Sequence, residues 1–148
     1  MLSGNRVMDA VISLRMMEAK RSFIRFETKL VLPERIPLSD VIFASLVGNL
    51  LDNAVEACKK LPEEDREIQF EIRPWKQMLY IYCANSSDGA YQLGTRGVLL
   101  TTKQSSGHGI GVRRMREIVE QTGGTCQFEP EDKRFTVSIM IPLEENQA

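Results

Sequence analysis

The stretch from about residue 40 to residue 60 does most to limit what this chain can fold into. Leu46, Leu50, Ala54 and Ala57 recur at helical spacing. Ser39 is suited to cap the start, and Pro62 lies just past the end. A helix this long with one apolar stripe must bury it against a sheet or further helices. The same run carries Asn49-Leu-Leu-Asp-Asn-Ala. Asn49 and Asn53 are four residues apart, which puts their carboxamides within roughly 40° on one helix face. Asparagine is a poor helix former, so two in mid-helix cost stability and invite a reason. They either cap and hydrogen-bond within a polar interface or face a ligand, and spacing alone leaves both open.

Around this helix the periodicity changes. Residues 5–21 read as a helix with Val7, Val11 and Leu14 on one face. Residues 23–32 switch to period two, with Ile24, Phe26, Leu30 and Leu32 alternating against Arg25, Glu27, Lys29 and Val31. Ile68, Phe70 and Ile72 alternate in the same way, and a turn at 74–77 leads into a strand over 78–84. Residues 85–107 have little periodicity and many Gly and Ser, and they read as a lid loop. A helix over 109–122 follows, with Val112, Met115 and Val119 on one face, and Gly123-Gly124 stops it. Strands over 125–129 and 134–141 close the chain. The order predicts an α+β fold: a two-layer sandwich with a mixed, mostly antiparallel sheet and helices on one face.

At 148 residues the chain makes a single domain over 1–148 with a proper core, residues 1–4 reading as a leftover outside the fold. Nineteen basic and twenty acidic residues nearly cancel, which argues against nucleic-acid binding driven by bulk charge. No apolar run approaches the roughly 18 residues of a membrane span, and no signal peptide opens the chain. Cys58, Cys83 and Cys126 are isolated and lack CxxC spacing, so they read as reduced core residues in a cytosolic protein.

The second cluster bearing chemistry is Gly107-His-Gly-Ile-Gly111. Glycines let backbone approach phosphate oxygens, and Gly109 and Gly111 open a helix whose free N–H groups favour anions. Turns and tight packing also call for glycine. No Gly-Lys-Ser/Thr follows, so this is not a Walker loop, and no preceding strand makes it a Rossmann fingerprint. Lys103, in Thr101-Thr-Lys103, can reach outer phosphates as a point charge or be a solvated loop lysine. His108 is the only histidine and has no nucleophile or carboxylate at motif spacing, so it reads as a backbone spacer. Asp52 and Glu56 read as surface groups or as support behind the Asn face. The Asn helix and the glycine cluster together suit a metal-bound nucleoside triphosphate.

With these residues in place, the chain resembles the ATP-binding catalytic domain of sensor histidine kinases, the Bergerat fold of the GHKL superfamily, in the branch of peptide-pheromone and citrate-type sensors. Asn49-Leu-Leu-Asp-Asn53-Ala matches the N-box, Gly107-His-Gly-Ile-Gly111 the second glycine box, and Thr101-Thr-Lys103 the run before it. The resemblance implies a Mg-ATP site lined by Asn49, Asn53, Asn85, Gly89, Thr102, Lys103, Gly107, His108, Gly109, Ile110 and Gly111. It gives Asn53 the magnesium, and Asn49 and Lys103 the catalytic positions.

Two departures stand out. The first glycine box is usually Asp-x-Gly-x-Gly, and here it is Asn85-Ser-Ser87-Asp-Gly89. Asn85 can still accept from adenine's amine, though without charge the bond weakens, and Ser87 restricts the turn. In the ATPase cousins a Glu one turn before the magnesium Asn activates water. Asn49 stands there and cannot act as a base. The implied role is to donate the γ-phosphoryl group to a histidine on a separate dimerisation domain, with a response regulator downstream and a homodimeric full-length protein. The domain itself is expected to touch neither nucleic acid nor membrane, as the cytosolic part of a membrane-bound sensor. The alternatives are an anti-sigma-like nucleotide-binding interaction module and a water-activating ATPase.

Overall fold

A computed structural model describes residues 6–89, 92–93, 99–100 and 108–143. Helix α1 (Arg6–Arg21) leads into strand β1 (Arg25–Leu30), then the long helix α2 (Asp40–Lys59). A single 3-10 turn at Glu63–Asp65 precedes β2 (Glu67–Trp75) and β3 (Met78–Ser86). Two short strands, β4 (Gln92–Leu93) and β5 (Leu99–Leu100), come before α3 (His108–Gln121), β6 (Thr125–Pro130) and β7 (Arg134–Pro142).

The main sheet has the order β1-β2-β3-β7-β6. β1 runs parallel to β2 because α2 crosses over between them, and the other three pairings are antiparallel. Period-two alternation sends Ile68, Phe70, Ile72, Leu79, Ile81, Val137, Ile139 and Ile141 into one buried layer. Glu71, Arg73, Tyr80 and Tyr82 occupy the opposite face. The helices close the buried side, which gives the expected two-layer α+β arrangement. Each large aliphatic in that layer contributes on the order of 1.5–3 kcal/mol by leaving water.

α2 is the central helix. Ser39 caps it, its hydroxyl accepting from Ile42 N at 3.2 Å. Phe43, Leu46, Val47, Leu50, Leu51, Ala54, Val55 and Cys58 are buried along its length. By length and composition α2 could span a membrane, contrary to the reading from apolar runs. Its apolar residues instead face the sheet and the flanking helices, and they account for that hydropathy.

α1 corrects the sequence reading. The face turned to the core is Met8, Ile12 and Ala19, while Val7 and Leu14 are 41% and 61% exposed. Val11 sits between the two stripes and packs partly against the core. Both stripes are apolar, so periodicity alone gave no way to choose. The chain leaves α1 through Phe23, two residues past the helix, which takes a left-handed φ of 57°. Ile24 N reaches back to Ala19 O at 2.9 Å to close the cap.

The stretch expected to be a lid loop also differs in part. Asn85 and Ser86 belong to β3, and β4 pairs with β5 as a small antiparallel ribbon. Pairs of only two residues carry too little alternation to be read from sequence. The glycine stop behaves as expected: Gly123 has φ +82° at the end of α3, and Gly124 N donates to Val119 O at 3.1 Å.

Candidate nucleotide site

The connections fix how the two motif-bearing helices lie. α2 starts near the end of the sheet that holds Leu30, Ile72 and Leu79, and it finishes at the opposite end, where β2 begins. α3 finishes at the first of these ends and feeds β6, which pairs with the last residues of β7. The two helices are therefore antiparallel neighbours. A groove joins Leu38, Ser39 and Ile42 at the start of α2 to Ile118 and Gln121 near the end of α3. From Ile118 back to His108 is ten residues, or about 15 Å of helix. The same distance along α2 from Ile42 reaches residue 52. The first turn of α3, made of His108, Gly109, Ile110 and Gly111, therefore lies level with Asn49 and Asn53.

Asn49 and Asn53 are half-buried, at the edge of the buried stripe of α2 and on the side that α3 shares. At 100° per residue they project beside Ile42, whereas Asp52 lies on the opposite flank toward α1. There Asp52 is engaged by Arg15, whose Nε and Nη2 donate to the two carboxylate oxygens at 3.1 Å each. Asp52 is thus a helix-to-helix partner on the surface, as expected.

Asn85 closes the other end. It lies on β3 opposite Ile68 and Phe135 and is 4% exposed. Its Nδ2 donates to Ser86 O at 2.8 Å, which leaves Oδ1 as the acceptor. Next to it, Ser86 Oγ and Cys58 Sγ both donate to Glu67 O at 3.5 Å, tying this strand end to the last turn of α2. Asn85 therefore sits beyond Asn53 along α2, about five residues or 7.5 Å on. Along one helix the order is buried acceptor, half-buried Asn53, half-buried Asn49, with the N-terminus of α3 alongside.

The turn after Asn85 is held by two hydrogen bonds and packs closely on the backbone of Asp132. Ser87 N donates to Lys133 O at 3.0 Å, and Gly89 N donates to Ser87 Oγ at 3.0 Å. Gly89 has φ +78°, and a Cβ there would lie 2.7 Å from Asp132 O. Ser87, expected to restrict this turn, is buried and supplies the hydroxyl that closes it. The β6–β7 hairpin loop thus buttresses this turn, and no residue spacing announces it. Thr102, Lys103 and Gly107 lie outside the described residues.

The three thiols are buried and free. Burial pushes Cys83 up to about 12 and Cys126 up to about 11, and it raises Cys58 as well. They are protonated core residues, as the sequence implied. Among the described residues no group of three or more His, Cys, Asp or Glu gathers as a metal site. The donor chemistry fits a hard ion held by one carboxamide oxygen together with phosphate oxygens and water.

Residues 38–142 match the GHKL domain family, and the chain belongs to that family. Membership implies nucleotide binding. Over 123 residues the chain is 34% identical to sensor histidine kinase CitA of Klebsiella pneumoniae, covering 76% of this chain and 22% of that protein. It is 28% identical over 116 residues to a probable C4-dicarboxylate sensor kinase of Halalkalibacterium halodurans, covering 74% and 21%. The chain thus spans about a fifth of the length of these relatives. Among solved structures, the catalytic domain of histidine kinase ThkA superposes with a TM-score of 0.72 at 19% identity, covering 96% of this chain and 93% of that one. Acinetobacter baumannii histidine kinase AdeS gives 0.65 at 12% identity, covering 95% and 64%. These structures share its fold.

Proposed function

We propose that this chain is the ATP-binding catalytic domain of a two-component sensor histidine kinase. It binds Mg-ATP and presents the γ-phosphoryl group to a histidine on a dimerisation domain of the same protein, with a response regulator downstream. The observation that carries this reading is the antiparallel seating of α2 and α3, with Asn85 at the same end of the sheet. A buried acceptor, two carboxamides and a glycine-rich helix N-terminus then follow one another in the order base, metal and phosphates.

In this arrangement Asn85 Oδ1 accepts from the base's exocyclic amine. Asn53 holds the magnesium through its carboxamide oxygen. Bound magnesium neutralises charge on the phosphates. The amides of α3 and Lys103 take the remaining phosphate charge. Asn49 orients the phosphate end without acting as a base, so an outside nucleophile is needed. Catalysis is then positioning and charge stabilisation. The full-length protein works as a homodimer with this domain on the cytosolic side.

The experiment is an ATP titration with and without magnesium, followed by transfer from labelled ATP to a separately supplied dimerisation domain. We expect magnesium-dependent binding and labelled histidine. Asn53→Ala should abolish the magnesium dependence, and if that dependence survives, the ligand assignment is wrong. Binding without transfer would instead favour an interaction module that uses nucleotide to hold a partner. Appreciable hydrolysis by the chain alone would favour a water-activating ATPase.

A further inference from the structure

Gly48 is buried in the middle of α2, a place where glycine is disfavoured relative to alanine. The space left by its missing side chain is filled from α1. A Cβ at Gly48 would lie 3.0 Å from Arg15 Nη2 and 3.5 Å from its Cζ. The guanidinium lies across this gap and reaches Asp52, one helical turn further on, through two bonds of 3.1 Å. Asp52 immediately precedes Asn53. The row Gly48–Asp52 and the row Asn49–Asn53 are thus adjacent stripes of one rigid helix, about 100° apart.

We propose that Arg15 is a positioning residue for the metal ligand: by clamping Asp52 across Gly48 it fixes the roll of α2 and so the aim of Asn53. The inference rests on the reading of this domain as a magnesium–nucleotide site. A fork-to-carboxylate pair holds two atoms against two and resists rotation. The neighbouring Lys59–Glu18 pair at 2.6 Å is a single-point contact and does not. The clamp adds little to stability, since Asp52 is 55% exposed, and its value lies in orientation. The glycine supports this, because an alanine would favour the helix yet press the guanidinium aside by a few tenths of an ångström.

The test measures melting temperature and ATP affinity, with and without magnesium, for the wild-type chain, Gly48→Ala, Arg15→Met and the double variant. Gly48→Ala should weaken magnesium-dependent binding by about threefold or more. Its metal-free affinity should hold at the wild-type level, and its melting temperature should be equal or higher. Arg15→Met should show the same loss in binding, and the double variant should lose no more than Arg15→Met alone. The inference is overturned if both single variants keep the wild-type magnesium dependence. It is equally overturned if affinity falls with and without metal in step with melting temperature, as a purely structural role predicts. A wild-type chain that takes up no nucleotide would remove the nucleotide reading, and this inference with it.

Discussion

The two ends of the candidate pocket are held in place by different physics. Asn49 and Asn53 ride on α2, whose depth against the sheet is set by a continuous buried stripe from Phe43 to Cys58, with the Arg15–Asp52 clamp setting its roll. Asn85, Ser87 and Gly89 sit where β3 runs out, and their geometry is set by a few hydrogen bonds and one close backbone approach to residues 132–133. Dispersed apolar burial tolerates small errors and keeps a helix straight. A hydrogen-bonded turn tolerates almost none, because each lost bond leaves a buried group unpaired. The helix end thus holds Asn49 and Asn53 through packing and the Arg15 clamp, whereas the turn end depends on the Ser87 hydroxyl and on the hairpin loop.

The largest effect should come from loosening the helix end from beneath. Leu51 is fully buried on α2. Leu51→Ala should cost about 3 kcal/mol through lost transfer energy and the cavity left behind. Chemical denaturation would measure it. A cost below about 1 kcal/mol would mean that burial does not hold α2, and the contrast between the two ends would fail.

Next in size is the turn. Gly89→Ala must place a methyl 2.7 Å from Asp132 O on a backbone with φ +78°. Both the conformation and the contact oppose it, and about 2 kcal/mol should be lost. Because Asn85 lies just before the turn, nucleotide affinity should fall as well, which calorimetric titration would detect. Unchanged stability would show that the hairpin loop is not a buttress.

Asn85→Asp restores the residue usual in the family, and it sharpens the comparison most directly. The gain would be a charged acceptor for the base. The cost is the bond from Nδ2 to Ser86 O, replaced by a carboxylate facing a carbonyl in a site that is 4% exposed. Desolvation and the orphaned acceptor should outweigh the gain in the nucleotide-free state, lowering stability by about 1–2 kcal/mol. A variant that is both more stable and tighter for ATP would mean that the asparagine is simple erosion rather than part of a locally consistent turn.

How far these ends were legible in the sequence follows from the same contrast. The strands were readable because Ile68, Phe70 and Ile72, and likewise Phe135 to Ile141, alternate cleanly against one buried face. α2 was readable because Ser39 and Pro62 bracket a single apolar stripe. The face of α1 is ambiguous in the sequence because two apolar stripes compete on one helix. Asp132 against Gly89 and Arg15 across Gly48 were not legible at all. Each joins residues more than thirty positions apart, and nothing in either local pattern marks the partner. Asn85 was readable as a replaced residue, yet its amide bond to Ser86 and the role of Ser87 emerge only with the turn in three dimensions.

The smallest effect concerns the place where the two ends meet. Cys83 on β3 and Cys58 on α2 are buried beside this seam, and burial raises both thiols, Cys83 to about 12 from 9.0. A folded-state value above the unfolded one means that the native state keeps its proton longer. The stability this gives is fully present below pH 9 and is lost as pH climbs toward 12. Between pH 8 and pH 10 the loss from Cys83 should be about 1 kcal/mol. Replacing Cys83 with Ala should flatten that alkaline slope by about one thiol's share while leaving the slope below pH 8 untouched. Denaturation series at several alkaline pH values would read the difference. An unaltered slope would place Cys83 in contact with water, and the seam between strand end and helix end would then be open rather than packed.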